Sequence, residues 1–128
     1  MVTITSFLDW ARTGNREAAF HALIDLGESA IPRLAEAYRA EADPALRALI
    51  VEVVWQMRSH ASFDFLGEAL QDPSPEVWRQ ALDGLVTLAT PESLRILEGA
   101  RDSSPNGDED FRAWVEGAID DVSGRIDE

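Results

Sequence analysis

The sequence predicts an all-α protein, a right-handed α-solenoid of about eight antiparallel helices stacked in pairs. Three observations predict it. The stretch from Pro75 to Leu97, PEVWRQALDGLVTLATPESLRIL, lies over Pro44 to Leu66, PALRALIVEVVWQMRSHASFDFL, after a shift of 31 residues. Apolar residues recur every three or four positions, and no segment alternates with period two for long enough to make a strand. A capping residue followed by proline opens helices at Asp43-Pro44, Ser74-Pro75 and Thr90-Pro91. One helix pair cannot bury its own apolar faces, so a repeat of this length stacks into a solenoid with a continuous core.

The elements follow in order. Ser6 with Asp9 three residues on resembles a capping arrangement, and Phe7, Leu8 and Trp10 give the first short helix its apolar surface before Gly14 ends it. Asn15 can cap a second helix, Arg16 to Leu26, with Ala19, Leu23 and Leu26 on one face and Gly27 as its C-cap. The third helix runs from Ser29 to Glu41, with Pro32 tolerated in its first turn. Ile31, Leu34, Ala35 and Tyr38 form its stripe.

Helix four opens at Pro44 and reaches about Arg58. From Leu49 to Trp55 it is apolar nearly all round, save Glu52, so it must be covered on most sides. Helix five begins at Ser59 and ends near Gln71, and Asp72-Pro73-Ser74-Pro75 is a strong break. Ser74 caps helix six, whose core face is Val77, Ala81, Gly84, Leu85 and Leu88. Helix seven runs from Pro91 to about Asp102. A loop from Ser103 to Gly107 precedes helix eight, Asp108 to about Arg125. The expected organisation is a single domain over residues 1–128: capping helices in 1–27, then repeat pairs in 28–58, 59–89 and 90–126.

Composition narrows the function classes. The net charge is −13, and all eleven cations are arginine. Binding to nucleic acid through phosphates needs clustered cations, and so does an anionic membrane surface; both are disfavoured. A strongly acidic surface suits either plain solubility or a basic protein partner drawn in by its field. Cysteine is absent, which removes disulfides, thiolate zinc sites and cysteine nucleophiles together and fits a cytoplasmic location. No run of about 18 apolar residues is present, and the N-terminal residues lack the basic and apolar regions of a secretory signal.

Three copies of the first-type helix align: Leu34-Ala35-Glu36-Ala37-Tyr38, Leu66-Gly67-Glu68-Ala69-Leu70 and Leu97-Glu98-Gly99-Ala100-Arg101. In the second-type helix, Leu46, Ile50 and Val54 match Val77, Ala81 and Leu85, then Phe111, Val115 and Ile119 after a three-residue insertion. The pattern of an Asp-Pro or Ser-Pro cap, an apolar–Arg pair and small or apolar residues every three or four resembles the HEAT repeat. It is similar to the short variety also found in phycobilin lyases. Leu46-Arg47 and Phe111-Arg112 fit the apolar–Arg pair, and Val77-Trp78 departs from it. The resemblance covers roughly Arg16 to Val122 and is specific for fold rather than function. It implies a scaffold that binds protein, although such families also include alkylpurine glycosylases and bilin lyases. A glycosylase needs a basic groove, and the charge here has the wrong sign.

In similar solenoids the second-type helices line the concave face. There the positions farthest from the core stripe are Arg47, Val51 and Trp55, then Trp78, Leu82 and Val86, then Arg112, Glu116 and Asp120. Arg47, Trp55, Trp78, Arg112, Glu116 and Asp120 are therefore candidate partner-binding residues, because Trp and Arg are enriched at binding hot spots. Trp55 and Trp78 would be neighbours on adjacent repeats. They either form an exposed pair in the groove or fill the seam between repeats. Asp108, Glu109 and Asp110 form a candidate acidic patch at a helix start, which the helix dipole alone would also favour. From Asp102 onward there are nine acidic residues and two arginines, a net of −7.

No catalytic constellation is found. The segment from Asp102 has Ala113 where a calcium loop needs a bidentate Glu. His21 and His60 lie 39 residues apart without a ligand pair. No metal and no cofactor are expected. The leading expectation is a non-catalytic protein-binding scaffold: an immunity or inhibitor protein for a basic toxin, or an adaptor. The alternative is a lyase-like protein with a small molecule in the concave groove.

Overall fold

Proline sets where several helices begin. Its fixed φ suits a first helical turn, and its missing N–H is one the helix would leave unbonded anyway. The computed structural model describes residues 4–103 and 109–126. Among them are α1 (Ile4–Arg12), α2 (Arg16–Ile24), α3 (Ile31–Ala40), α4 (Pro44–Gln56), α5 (Ser62–Ala69), α6 (Pro75–Leu88), α7 (Pro91–Asp102) and α8 (Glu109–Ile126). No strand occurs among the described residues.

The start signals work in different ways. Asp43 accepts from the Ala45 N–H at 2.9 Å, and Thr90 accepts from the Ser93 N–H at 3.1 Å. Ser74 occupies the cap position of α6, but its side chain makes no capping hydrogen bond. Helix five starts at Ser62 rather than Ser59. The Ser59 hydroxyl accepts from the Ala61 N–H, and its carbonyl accepts from the Ser62 hydroxyl, which holds a turn ahead of the helix. Likewise a short 3-10 turn, Glu28–Ala30, precedes α3, because Gly27 at φ 81° redirects the chain there.

The helices pack as successive pairs: α3 with α4, α5 with α6, and α7 with α8. Helices α4, α6 and α8 contact one another in order and form one layer, while α5 and α7 meet in the other. Helices α1 and α2 cover the first pair through contacts with α3 and α4. The core runs without interruption along this stack, from Leu8 to Val122. Helix α4 is its centre, with Leu49, Ile50, Val51, Val53 and Val54 all inaccessible to water. Burial of each such side chain contributes roughly 1.5–3 kcal/mol. This is why the run from Leu49 to Trp55 is apolar on nearly every side: α2, α3, α5 and α6 all lie against α4. No described helix is long and apolar enough to cross a membrane.

Candidate partner-binding groove

Arg47 belongs to the interior rather than to an open face. Its Nε and Nη2 donate to the two Asp72 carboxylate oxygens at 2.9 and 3.2 Å, and its Nη1 donates to the Glu41 and Ala42 carbonyls. The Tyr38 hydroxyl donates to the same carboxylate at 2.6 Å. Burial alone would raise the Asp72 pKa. The hydrogen bonds from Arg47, Tyr38 and the Ser74 N–H together outweigh it and hold Asp72 below the usual carboxylate range. Burial and the negative Asp72 push the Tyr38 hydroxyl upward. The network links the α3–α4 pair to the break before α6, so Arg47 joins repeats and is not free for a partner.

Trp55 and Trp78 are corrected in the same way. Their exposures are 8% and 4%, so they do not form an open pair. Trp55 lies across α6 at Gly84, where a Cβ would stand 2.5 Å from its Cγ, and its indole N–H donates to the Gln80 side chain at 2.7 Å. Trp78 turns to the next repeat. It stacks on Phe111 with ring centres 5.1 Å apart and meets Trp114 edge-on at 6.5 Å. The physical reason is the stacking itself. A stripe that would face solvent on an isolated helix pair is covered once another pair packs beside it.

Arg112, Glu116 and Asp120 are exposed on α8, but none of them lines the concavity described below. Of the acidic patch, Asp108 lies outside the described residues. Glu109 and Asp110 occupy the first turn of α8, and Asp110 faces Arg79 at 3.5 Å. The six candidate partner-binding residues are thus divided between a buried seam and one exposed helix side.

A different set of side chains does converge. A groove of about 730 Å³ runs between α6 and α8, with Trp55 of α4 at its edge. Helix α6 contributes Leu82, Asp83, Val86 and Thr87; helix α8 contributes Asp110, Ala113, Trp114, Gly117, Ala118 and Asp121. The α8 residues recur at steps of three and four, so they share one side of the helix. Small residues hollow that side. A Cβ placed on Gly117 would meet no atom within 4 Å.

Two arginines clasp the groove from outside it. Arg79 approaches Asp110 near the start of both helices. At the other end Arg125 pairs with Asp121 at 3.0 Å and donates to the Val86 carbonyl in the last turn of α6 at 3.2 Å. Arg79 also lies over the Trp78 and Trp114 rings, 5.3 and 5.1 Å from their centres. Trp114 is held between these neighbours and still exposes 48% of its surface.

The lining holds three carboxylates and no cation. Asp83 is the one without a clasp: it makes no hydrogen bond or ion pair among the described residues. It is exposed to solvent, and the partial burial that remains raises its pKa. Sequence reading passed over Trp114 and Asp83. The available signal was the run Asp110, Ala113, Trp114, Gly117 and Asp121, a helix side that alternates large, small and acidic residues.

No group of three His, Cys, Asp or Glu residues able to hold a metal ion occurs among the described residues. Comparison with curated proteins gives no match, and comparison with solved structures gives none either. A family model for HEAT repeats does match, over residues 31–120. That span takes in α3 to α7 and two thirds of α8, the same paired helices whose stacking builds the core and the groove. The chain belongs to the HEAT-repeat family, a helical scaffold that often mediates protein interaction.

Proposed function

We propose that this chain is a non-catalytic protein-binding scaffold whose partner presents a basic surface. The observation that carries the reading is the groove between α6 and α8: a half-exposed Trp114, apolar walls and three carboxylates, of which Asp110 and Asp121 face arginines and Asp83 does not. Rigid aromatics at a desolvated centre are the usual anchors of a protein interface. The net charge of −13 supports a basic partner, because it accelerates encounter with one and repels acidic surfaces. Two roles fit this chemistry. An immunity or inhibitor protein would cover the active site of a basic toxin such as a nuclease, and an adaptor would hold a basic protein within an assembly.

Affinity capture with the full chain, identification of the bound protein by mass spectrometry and reassembly from purified components tests the reading. A basic partner whose activity is blocked on binding supports the inhibitor role. A basic partner that stays active supports the adaptor. An acidic or absent partner removes the proposal.

The groove volume favours one second reading. About 730 Å³ lies within the range of small-molecule sites, so an organic ligand between α6 and α8 is the alternative. Thermal-shift screening against tetrapyrroles and other small molecules separates the two.

A further inference from the structure

We propose that the groove between α6 and α8 receives an arginine side chain of the basic partner, with Asp83 pairing the guanidinium and Trp114 stacking along it. The inference rests on the protein-binding reading and specifies what that partner presents. Each wall supplies one part of such a receptor.

The charge is supplied by Asp83. Asp110 and Asp121 already face Arg79 and Arg125, so they are largely compensated. Asp83 lines the groove and has no counterpart among the described residues. An unpaired carboxylate beside apolar surface offers a charge-assisted, two-point hydrogen bond to a planar cation. The stem is accommodated by Leu82, Val86 and Ala113, since long cationic side chains bury their methylenes on apolar surface. The room is supplied above Gly117, where even a Cβ would touch nothing.

The ring decides between the two basic side chains. Trp114 packs edge-on against Trp78 and beneath Arg79, contacts that favour one ring orientation for a ligand to stack on. A guanidinium is planar, weakly hydrated and able to bond a carboxylate through two N–H groups while lying on an aromatic face. An ammonium is a compact, strongly hydrated point charge and uses neither the plane nor the fork. A metal ion is disfavoured, because Asp83 has no cluster of ligating groups around it among the described residues.

The test uses the full chain and three blocked pentapeptides, acetyl-Gly-Leu-Xaa-Leu-Gly-amide with Xaa arginine, lysine or citrulline, followed by amide and indole NMR. The expected result is chemical-shift change at Asp83, Gly117 and the Trp114 indole, with arginine binding about tenfold more tightly than lysine. Citrulline keeps the shape and loses the charge, and is expected to bind much more weakly than both. D83N and G117L should each weaken the arginine peptide by about tenfold or more. G117L fills the groove without entering the core, so its fold is expected to survive, and D64N serves as a charge-matched control on α5. Equal binding of arginine and citrulline, shifts confined to other surfaces, or full affinity in both D83N and G117L would overturn the inference.

The two levels fail separately. A captured partner that binds D83N and G117L as tightly as the native chain sinks the arginine receptor and leaves the protein-binding scaffold standing. Arginine-peptide binding in the groove without any protein partner does the reverse. Self-association abolished by D83N would assign the occupant to a second copy of this chain and overturn the partner assignment.

Discussion

Asp72 ties two repeats together through one carboxylate. Its side chain is closed to water, and it accepts from Arg47, Tyr38 and the Ser74 N–H. Because its folded pKa lies below the ordinary value, its stabilisation is fully present above the unfolded pKa. It is lost as pH falls through the folded value. D72N is expected to cost about 2 kcal/mol at pH 7, the worth of hydrogen bonds to a charged group. The gap from the native chain should narrow below about pH 3.8, the ordinary Asp value. Urea denaturation at pH 7 and at pH 3 checks this, and a gap independent of pH would contradict it. Gly84 poses a steric problem instead. Alanine there gains up to about 1 kcal/mol in helix propensity. Its Cβ, however, would stand 2.5–2.8 Å from three Trp55 atoms, and Trp55 is pinned to Gln80. Overpacking costs about 1–3 kcal/mol, so G84A should be destabilised on balance, with changed Trp emission. A variant as stable as the native chain would show that Trp55 can move aside.

The junction between α6 and α7 shows how much of an element boundary is readable. Thr90-Pro91 is a cap and a first-turn proline, and the structure starts α7 at Pro91, where the sequence places it. Ser74-Pro75 reads the same way, but only Asp72 bonds the backbone there. The letters name a capping residue; they do not say whether its hydroxyl finds the N–H. T90A should therefore cost about 1 kcal/mol, and S74A less than about 0.5 kcal/mol, as for a surface change without a partner. Between the two, Ala89 closes α6 in the left-handed region at φ 49°. A89G should gain about 0.5–1 kcal/mol by removing that strain. Chemical denaturation of the three variants tests the ordering, which would fail if S74A lost as much as T90A. The same limit explains the site. Periodicity identified the core stripes of α4 and α6 and the repeat of 31 residues, because both depend on chain-local spacing. Whether Trp55 and Trp78 are covered depends on the neighbouring repeat, which spacing on one helix cannot report. Trp114 stayed hidden for the converse reason: it sits at the edge of a core stripe, and only the hollow beside Ala113 and Gly117 leaves it open.

Over the whole molecule, arginines act as ties between repeats. Arg16 pairs with Glu52, Arg39 with Glu68 and Arg79 with Asp110, each joining separate helices, while Arg12 and Arg47 reach Glu41 and Asp72 in the connections after α3 and α5. Apart from the interior Arg47–Asp72 pair, these lie at the surface, where such pairs contribute only about 0–1 kcal/mol each. They cannot offset the excess of 24 acidic residues over 11 basic ones, so the folded chain carries net self-repulsion. Salt therefore acts in opposite directions on folding and on binding. At about 0.1 M ionic strength the screening length is already near 10 Å, longer than a contact pair, so salt screens distant charges before close ones. Raising sodium chloride from roughly 20 to roughly 500 mM should weaken repulsion more than it weakens the ties, and the melting temperature should rise. Over the same range, association with a basic partner should slow by about tenfold or more. Dissociation should change little, because long-range steering acts on encounter rather than on the formed contact. Scanning calorimetry of the free chain and stopped-flow mixing with the purified partner measure the two effects independently. A melting temperature that falls with salt would mean that the arginine ties outweigh the repulsion. An association rate indifferent to salt would mean that the partner is not recognised through charge, and with it the case for a basic partner would fall.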